Sequence, residues 1–142
     1  MELLSMEKVK DGRYLKNYEL TYRNKAGREK KYEIVSRNEI AGPDKIGEKV
    51  SGVSIVAYYG DKMLLLREFR MGVNRLMYNL CAGMLEEGES LEECIQRELY
   101  EETGAVDFDL EPVCVYSVQR GDKFGVEESF GMLYCGQIRE FE

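Results

Sequence analysis

The chain has no histidine, only two prolines, no Cys-x-x-Cys pair and no apolar run longer than a few residues. Without histidine or closely paired thiols, Cys81, Cys94, Cys114 and Cys135 argue against a zinc site. A disulfide framework belongs mainly to shorter secreted chains. Set among apolar neighbours, the four cysteines are expected to be buried thiols in a reducing compartment. No apolar run approaches the length of a membrane span. The opening MELLSMEKVKDGRY lacks a long apolar core followed by a small-residue cleavage site. A cytoplasmic location and no membrane partner are expected.

Positive charge is also scarce. Lysine and arginine number 20 against 27 acids, a net charge of −7. A field of that sign repels phosphate backbones and argues against nucleic acid as a partner. An acidic protein that handles phosphates needs metal ions between the two.

What is present is an ordinary globular composition, 44% apolar and 33% charged over 142 residues, enough for a real core. Tyr18 to Asn24 and Lys30 to Asn38 alternate apolar and polar residues around Asn24-Lys25-Ala26-Gly27, which predicts a β-hairpin. The loop AGPDKIG sets a boundary between an N-terminal extension, residues 1–48, and a main domain, residues 49–142. Two β-rich runs flank Tyr59-Gly60-Asp61 within Gly52 to Arg70, predicting a second hairpin buried on both faces. Arg75 to Gly83, Leu110 to Val118 and Phe130 to Ile138 are further strand candidates. Strands on both sides of one strong helix predict an α/β fold with a mixed sheet. There is no repeat and no low-complexity tract.

That helix lies in GMLEEGESLEECIQRELYEETGA, which holds eight glutamates in twenty-three positions. Ser90 with Glu93 three residues later is a capping-box signature, and Thr103-Gly104 supplies a glycine stop. Leu91, Cys94, Ile95 and Leu99 form the apolar stripe. Glu98, Glu101 and Glu102 are spaced i, i+3, i+4 and continue that stripe into the last turn. Like charges at this spacing repel by roughly 0.2–0.5 kcal/mol per pair. The helix dipole disfavours anions there by about 0.3–1 kcal/mol. A divalent cation would reverse both costs, because carboxylate oxygens are what Mg²⁺ and Mn²⁺ select. The alternative is an exposed acidic helix end, and spacing alone does not separate the two. Glu86, Glu87, Glu92 and Glu93 are expected to be solvated or capping residues.

Gly83, Glu89, Arg97-Glu98-Leu99, Glu101-Glu102 and Gly104-Ala105 together resemble the signature of the Nudix hydrolase family. Ala105 stands where the family usually has a bulkier aliphatic. The resemblance implies an α/β/α sandwich around a mixed sheet, and Mg²⁺- or Mn²⁺-dependent hydrolysis of a nucleoside diphosphate linked to another group. It implies that Glu98 and Glu102 are metal ligands, that Glu101 is a ligand or positions water, and that the Ala82 carbonyl is a further ligand. Arg97 would hold the glutamates, Glu89 would brace the loop and helix, and Gly83 and Gly104 would permit tight turns.

The hairpin ending in YEIVSR, the segment LLLREFR and the stretch CAGMLEEGES resemble the ADP-ribose pyrophosphatase subgroup. In that group the general base follows the helix, here Glu128 or Glu127, with Glu128 preferred because it immediately precedes a strand. Arg70, with Arg67, would contact substrate phosphates. Phe69 and Tyr78 are expected in the core rather than beside a base or ribose. The N-terminal strands would pack or exchange across a two-fold axis, implying a homodimer. Two departures bear on the substrate: Asn79-Leu80-Cys81-Ala82-Gly83 replaces the usual Glu-Leu-Pro-Ala-Gly, and VQRGDKFG lacks the usual proline. ADP-ribose or a related nucleotide sugar is the expected substrate. The rival readings are a nucleoside triphosphate pyrophosphatase of the nucleotide-cleaning type and a non-catalytic nucleotide sensor.

Overall fold

The computed structural model describes residues 1–47, 50–122 and 125–142; the side chains of residues 118–130 also lie outside the described residues. In chain order the elements are β1 (Glu2–Asp11), β2 (Lys16–Arg23), β3 (Glu29–Ser36), β4 (Val50–Tyr59), β5 (Lys62–Met63), β6 (Leu66–Arg70), β7 (Arg75–Asn79), β8 (Cys81–Met84), α1 (Leu91–Thr103), β9 (Ala105–Asp122) and β10 (Gly125–Phe141). They belong to two compact units, one of residues 1–49 and 117–129, the other of residues 50–116 and 130–142.

In the first unit β2 and β3 form the expected hairpin, paired from Lys16↔Ser36 to Arg23↔Glu29. Its turn is held by Asn24, whose Oδ1 accepts from the amides of Ala26 and Arg28, each at 2.9 Å. Gly27 takes the left-handed conformation at φ 76° that a side chain would oppose. Tyr18, Leu20 and Ile34 form the core, and the Ile40 amide donates to the Tyr18 hydroxyl. The sequence did not reveal β1, which pairs antiparallel with β2 as a third strand. Register shifts between Leu3 and Ser5 and between Lys8 and Lys10 interrupt the period-two pattern by which a strand is read.

In the second unit β4 is central. It runs parallel to β10 from Gly131↔Gly52 to Gln137↔Tyr58 and antiparallel to β8 from Gly52↔Met84 to Ile55↔Cys81. β9 pairs with β10. The sheet is therefore mixed and the fold α/β, as expected. α1 is the sole α-helix among the described residues. Its buried Cys94, Ile95 and Leu99 join Val53, Ile55, Ala57, Cys81, Ala105, Tyr134 and Ile138 in the core. Burial of a side chain such as Ile95 or Leu99 contributes about 1.5–3 kcal/mol, which docks the helix on the sheet.

Three expectations fail here. The run after Gly60 does not return along β4 as one buried strand. Only Lys62–Met63 pairs with β4, whereas β6 pairs with β7 in a separate two-stranded sheet, Leu66↔Asn79 to Arg70↔Arg75. That hairpin leaves Phe69 54%, Leu76 50% and Tyr78 66% exposed, so Phe69 and Tyr78 are not core residues. Apolar composition had predicted burial, but a lone pair of strands has no second layer to bury against. The cysteines divide likewise: Cys81 and Cys94 are buried, Cys135 is half-buried and Cys114 is exposed, all as free thiols. Cys114 follows its neighbours Val113 and Val115, themselves exposed.

Candidate active site

The site begins with how α1 is started and stopped. Ser90 Oγ accepts from the Glu93 amide at 3.2 Å and Glu93 Oε2 from the Ser90 amide at 2.8 Å, the reciprocal capping box. At the other end Gly104 sits at φ 76° and donates to the Tyr100 carbonyl. These caps fix the phase of the glutamates above β8.

Arg97 is the hub. Its Nε donates to Glu89 Oε1 at 2.8 Å and its Nη2 to Glu89 Oε2 at 2.9 Å, the bidentate geometry that suits guanidinium and carboxylate. Nη1 donates to Glu98 Oε1 at 2.7 Å, and Nη2 also donates to the Met84 carbonyl at 3.0 Å. Glu89 Oε2 in turn accepts from the Glu86 amide at 2.9 Å, closing the loop before the helix. One side chain thus ties β8, the loop and α1 together. The Arg97 and Glu98 side chains are 23% and 13% exposed.

The Arg97 guanidinium, with the Glu86 amide, lowers the Glu89 carboxyl from 4.5 to about 2. The sign follows directly. A carboxylate with a depressed folded pKa stabilises the fold above its unfolded value, and loses that contribution as pH falls from about 4.5 through about 2. Over that window the melting temperature of Glu89→Gln should fall less steeply than that of the unmodified protein. Parallel slopes in thermal melts would show that Arg97 does not hold Glu89 in solution.

Glu98 lies flat on Gly83: a Cβ built at residue 83 would coincide with the Glu98 carboxyl group. The role expected of Gly83 is corrected here. It is not at a turn but inside β8, without the left-handed backbone found at Gly104. What the position needs is the missing side chain, because the strand must come close enough for a carboxylate to rest on its backbone.

Glu102, one turn further on, faces the same strand. Its Oε2 accepts from the Ala82 amide at 3.3 Å, and the Cys81 thiol donates to it. The residue is open to solvent as a whole, yet its carboxyl end is partly desolvated, which raises it above the ordinary carboxylate value. The charges of Glu98 and Glu68 add to the rise. Burial, aided by Glu102, also pushes the Cys81 thiol far up, leaving it protonated.

Glu101 does not converge with them. Its side chain is 60% exposed and its Oε2 lies 3.7 Å from Arg97 Nη1. At 100° per residue Glu102 falls near the middle of the apolar stripe, whereas Glu101 falls about 100° to one side. No three histidine, cysteine or acidic side chains form a ready metal cage among the described residues. The donors nevertheless fit one class of ion. They are hard carboxylate oxygens, and Mg²⁺ is commonly held by one or two of these while keeping several waters.

Beside Glu102 is a cleft of about 430 Å³ lined by Leu64, Leu65, Leu66, Arg67, Glu68, Glu102 and Thr103. Arg67 therefore shares a cleft with a candidate ligand. Arg70 is spent differently, its Nη1 lying 3.2 Å from Glu68 Oε1. Glu68 was not singled out from sequence, since nothing in LLLREFR marks one acid as special; its partner Asn79, noted there only as a departure from the subgroup's glutamate, donates to it. Glu127 and Glu128 fall within β10, but their side chains lie outside the described residues. No helix among the described residues is long and apolar enough to cross a membrane.

An arginine-clamped pair of glutamates on a glycine strand, under a mixed sheet, defines a recognisable class. Residues 48–138 match the NUDIX domain family model, and the chain belongs to the Nudix family. Its relatives include the ADP-sugar pyrophosphatase of Mus musculus, 29% identical over 102 residues, covering 70% of this chain and 46% of that one. The chain spans about half the length of such curated relatives. A shorter match, 46% identical over 50 residues, joins it to the NAD-capped RNA hydrolase NudC of Vibrio parahaemolyticus, covering 35% of this chain and 19% of that protein. Among solved structures, an ADP compounds hydrolase superimposes with a TM-score of 0.71 at 23% identity, covering 99% of this chain and 68% of the other, a likeness of fold. A NUDIX hydrolase from Nitrosomonas europaea gives 0.55 at 31% identity, covering 66% and 62%.

Proposed function

We propose that this protein is a Mg²⁺- or Mn²⁺-dependent pyrophosphohydrolase that splits a nucleoside diphosphate derivative, with ADP-ribose or a related ADP-sugar as first choice. The observation that carries the reading is the placement of Glu98 and Glu102, one turn apart, against the backbone of Gly83 and Ala82. The relative that acts on ADP-sugars supports the substrate class.

Glu98 and Glu102 would hold the cation, with the Ala82 carbonyl as a backbone ligand; Glu101 would act through water. When bound, the ion would neutralise pyrophosphate charge and make a water more acidic. Arg97, donating to Glu98 at 2.7 Å, holds that carboxyl group in position, so that the ligand is in place before substrate arrives. Arg67, in the cleft beside Glu102, would meet a phosphate oxygen; Arg70, three residues on in β6 and paired with Glu68, would be the second phosphate contact. Glu128 or Glu127 would take the proton of the attacking water as general base. The protein would work as a homodimer in a reducing, cytoplasmic setting.

The test is a hydrolysis screen with Mg²⁺, read by phosphate released when an added phosphomonoesterase cleaves the monoester products, over ADP-ribose, other nucleotide sugars, dinucleoside polyphosphates and nucleoside triphosphates, with triphosphates read by chromatography and sedimentation measured in parallel at micromolar concentration. Turnover of nucleotide sugars by a dimer is expected. Turnover of triphosphates alone would replace the substrate assignment, and a monomer would remove the dimer.

A further inference from the structure

The middle of β9 is open to solvent on both faces. Every residue from Glu111 to Val115 is exposed, Val113 at 57% and Val115 at 52%, and Cys114 is a free, exposed thiol. Successive strand residues point to opposite faces, so neither face is covered there by a helix or a second sheet. β9 is also an edge: among the described residues it pairs only with β10. Exposed edges are normally blunted by charge, lysine above all, because their free amides and carbonyls pair with any strand that meets them. This edge is not blunted. Pro112 to Gln119 carries no charge, in a chain where 33% of residues are charged. Tyr116 anchors the stretch, its hydroxyl hydrogen-bonded to Ser54 Oγ of β4 and its ring against Gly131 of β10.

We infer that two copies of the chain meet along this edge, β9 against β9, antiparallel about a two-fold axis at Cys114. The inference deepens the homodimer reading above, on which it rests, by placing the contact in the main domain. Pro112 sets the phase. Within a sheet a proline nitrogen faces away from the neighbouring strand, so residue 112 turns its backbone to the free edge. By the period of two, Cys114 and Tyr116 do the same. Centred on Cys114, the two strands exchange amide–carbonyl bonds there in both directions, and each Tyr116 amide meets a Pro112 carbonyl. Val113 then faces Val115 of the partner subunit, which takes apolar surface from water, and Glu111 falls opposite Ser117 rather than another acid. The last point decides the occupant. A chain of net charge −7 repels its own copies, so self-association needs a surface where no acid meets an acid. This edge supplies one, and it is complementary to itself, as a two-fold contact must be.

The experiment has two arms at micromolar concentration, sedimentation and cross-linking with a short bis-maleimide. Directly opposed residues of such a pair lie about 5.5 Å apart at Cα, within the linker's reach, whereas Cys81 and Cys94 are buried. The unmodified chain should sediment as a dimer and be captured as a covalent dimer. Cys114→Ser should stay dimeric and lose the cross-link. Cys114→Lys sets two like charges opposite each other on the axis, and should raise the dimer dissociation constant by at least about tenfold, with an unchanged circular dichroism spectrum. A dimer that resists Cys114→Lys, that gives no cross-link, or whose cross-link persists in Cys114→Ser would overturn the inference and leave the homodimer reading standing. A monomer of the unmodified chain would remove both, and leave the edge to an extended segment of another protein. Cross-linking compares only the unmodified chain with Cys114→Ser, so it decides the matter even if the lysine variant does not fold.

Discussion

Glu98→Gln and Glu102→Gln should each lower turnover by about a thousandfold while the protein remains folded. A bound divalent ion contributes several kcal/mol of transition-state charge stabilisation, and ~4 kcal/mol corresponds to roughly three orders of magnitude in rate. Removing one of the two proposed anionic ligands would forfeit most of that. The fold should survive for separate reasons at the two positions. At 98, glutamine retains an oxygen for the 2.7 Å bond from Arg97 and still lies flat on Gly83. At 102 the ionised carboxylate is held where its surroundings disfavour charge, so a neutral amide should melt no lower than the original in the absence of metal. Steady-state rates with saturating Mg²⁺ and circular dichroism decide the matter. Near-normal turnover in both variants would show that the cation, if there is one, is held elsewhere.

Gly83→Ala should be nearly as damaging, although it adds one methyl group. The backbone of β8 at residue 83 is extended, so alanine meets no conformational objection there. The obstacle is that its Cβ falls on the Glu98 carboxyl. Glu98 would have to swing away, breaking its bond to Arg97, and overpacking of this kind costs about 1–3 kcal/mol. A displacement of about 1 Å in a catalytic group can cost a hundredfold, which sets the expected loss of activity. The melting temperature should fall, and helix content by circular dichroism should stay constant. Unaltered activity would place the Glu98 carboxylate away from this strand in the working enzyme.

The local features of α1 were legible because their causes lie within a few residues. Ser90 and Glu93 cap each other across three positions, and Gly104 stops the helix because its own backbone accepts φ 76°. The β2–β3 hairpin was legible for the same reason, its turn residues and alternation being contiguous. The long register of β4 with β10 was not, since parallel neighbours with a helix between them leave no local signature of partner or phase. β1 was hidden by its bulges, and β6 was misassigned because its apolar residues promised a burial that only a second layer can supply.

The site divides along the same line. Residue type and spacing by themselves determined that an arginine and several glutamates share one helix, and that their chemistry favours hard cations over zinc. Only the tertiary structure decided which glutamates face the strand, that Gly83 is there to be overlain rather than to turn, and that Glu68 and Asn79 share the hairpin beside the cleft. Helical periodicity fixes angles about an axis. What stands opposite each angle depends on strands brought in from elsewhere in the chain, and no spacing within the helix encodes it.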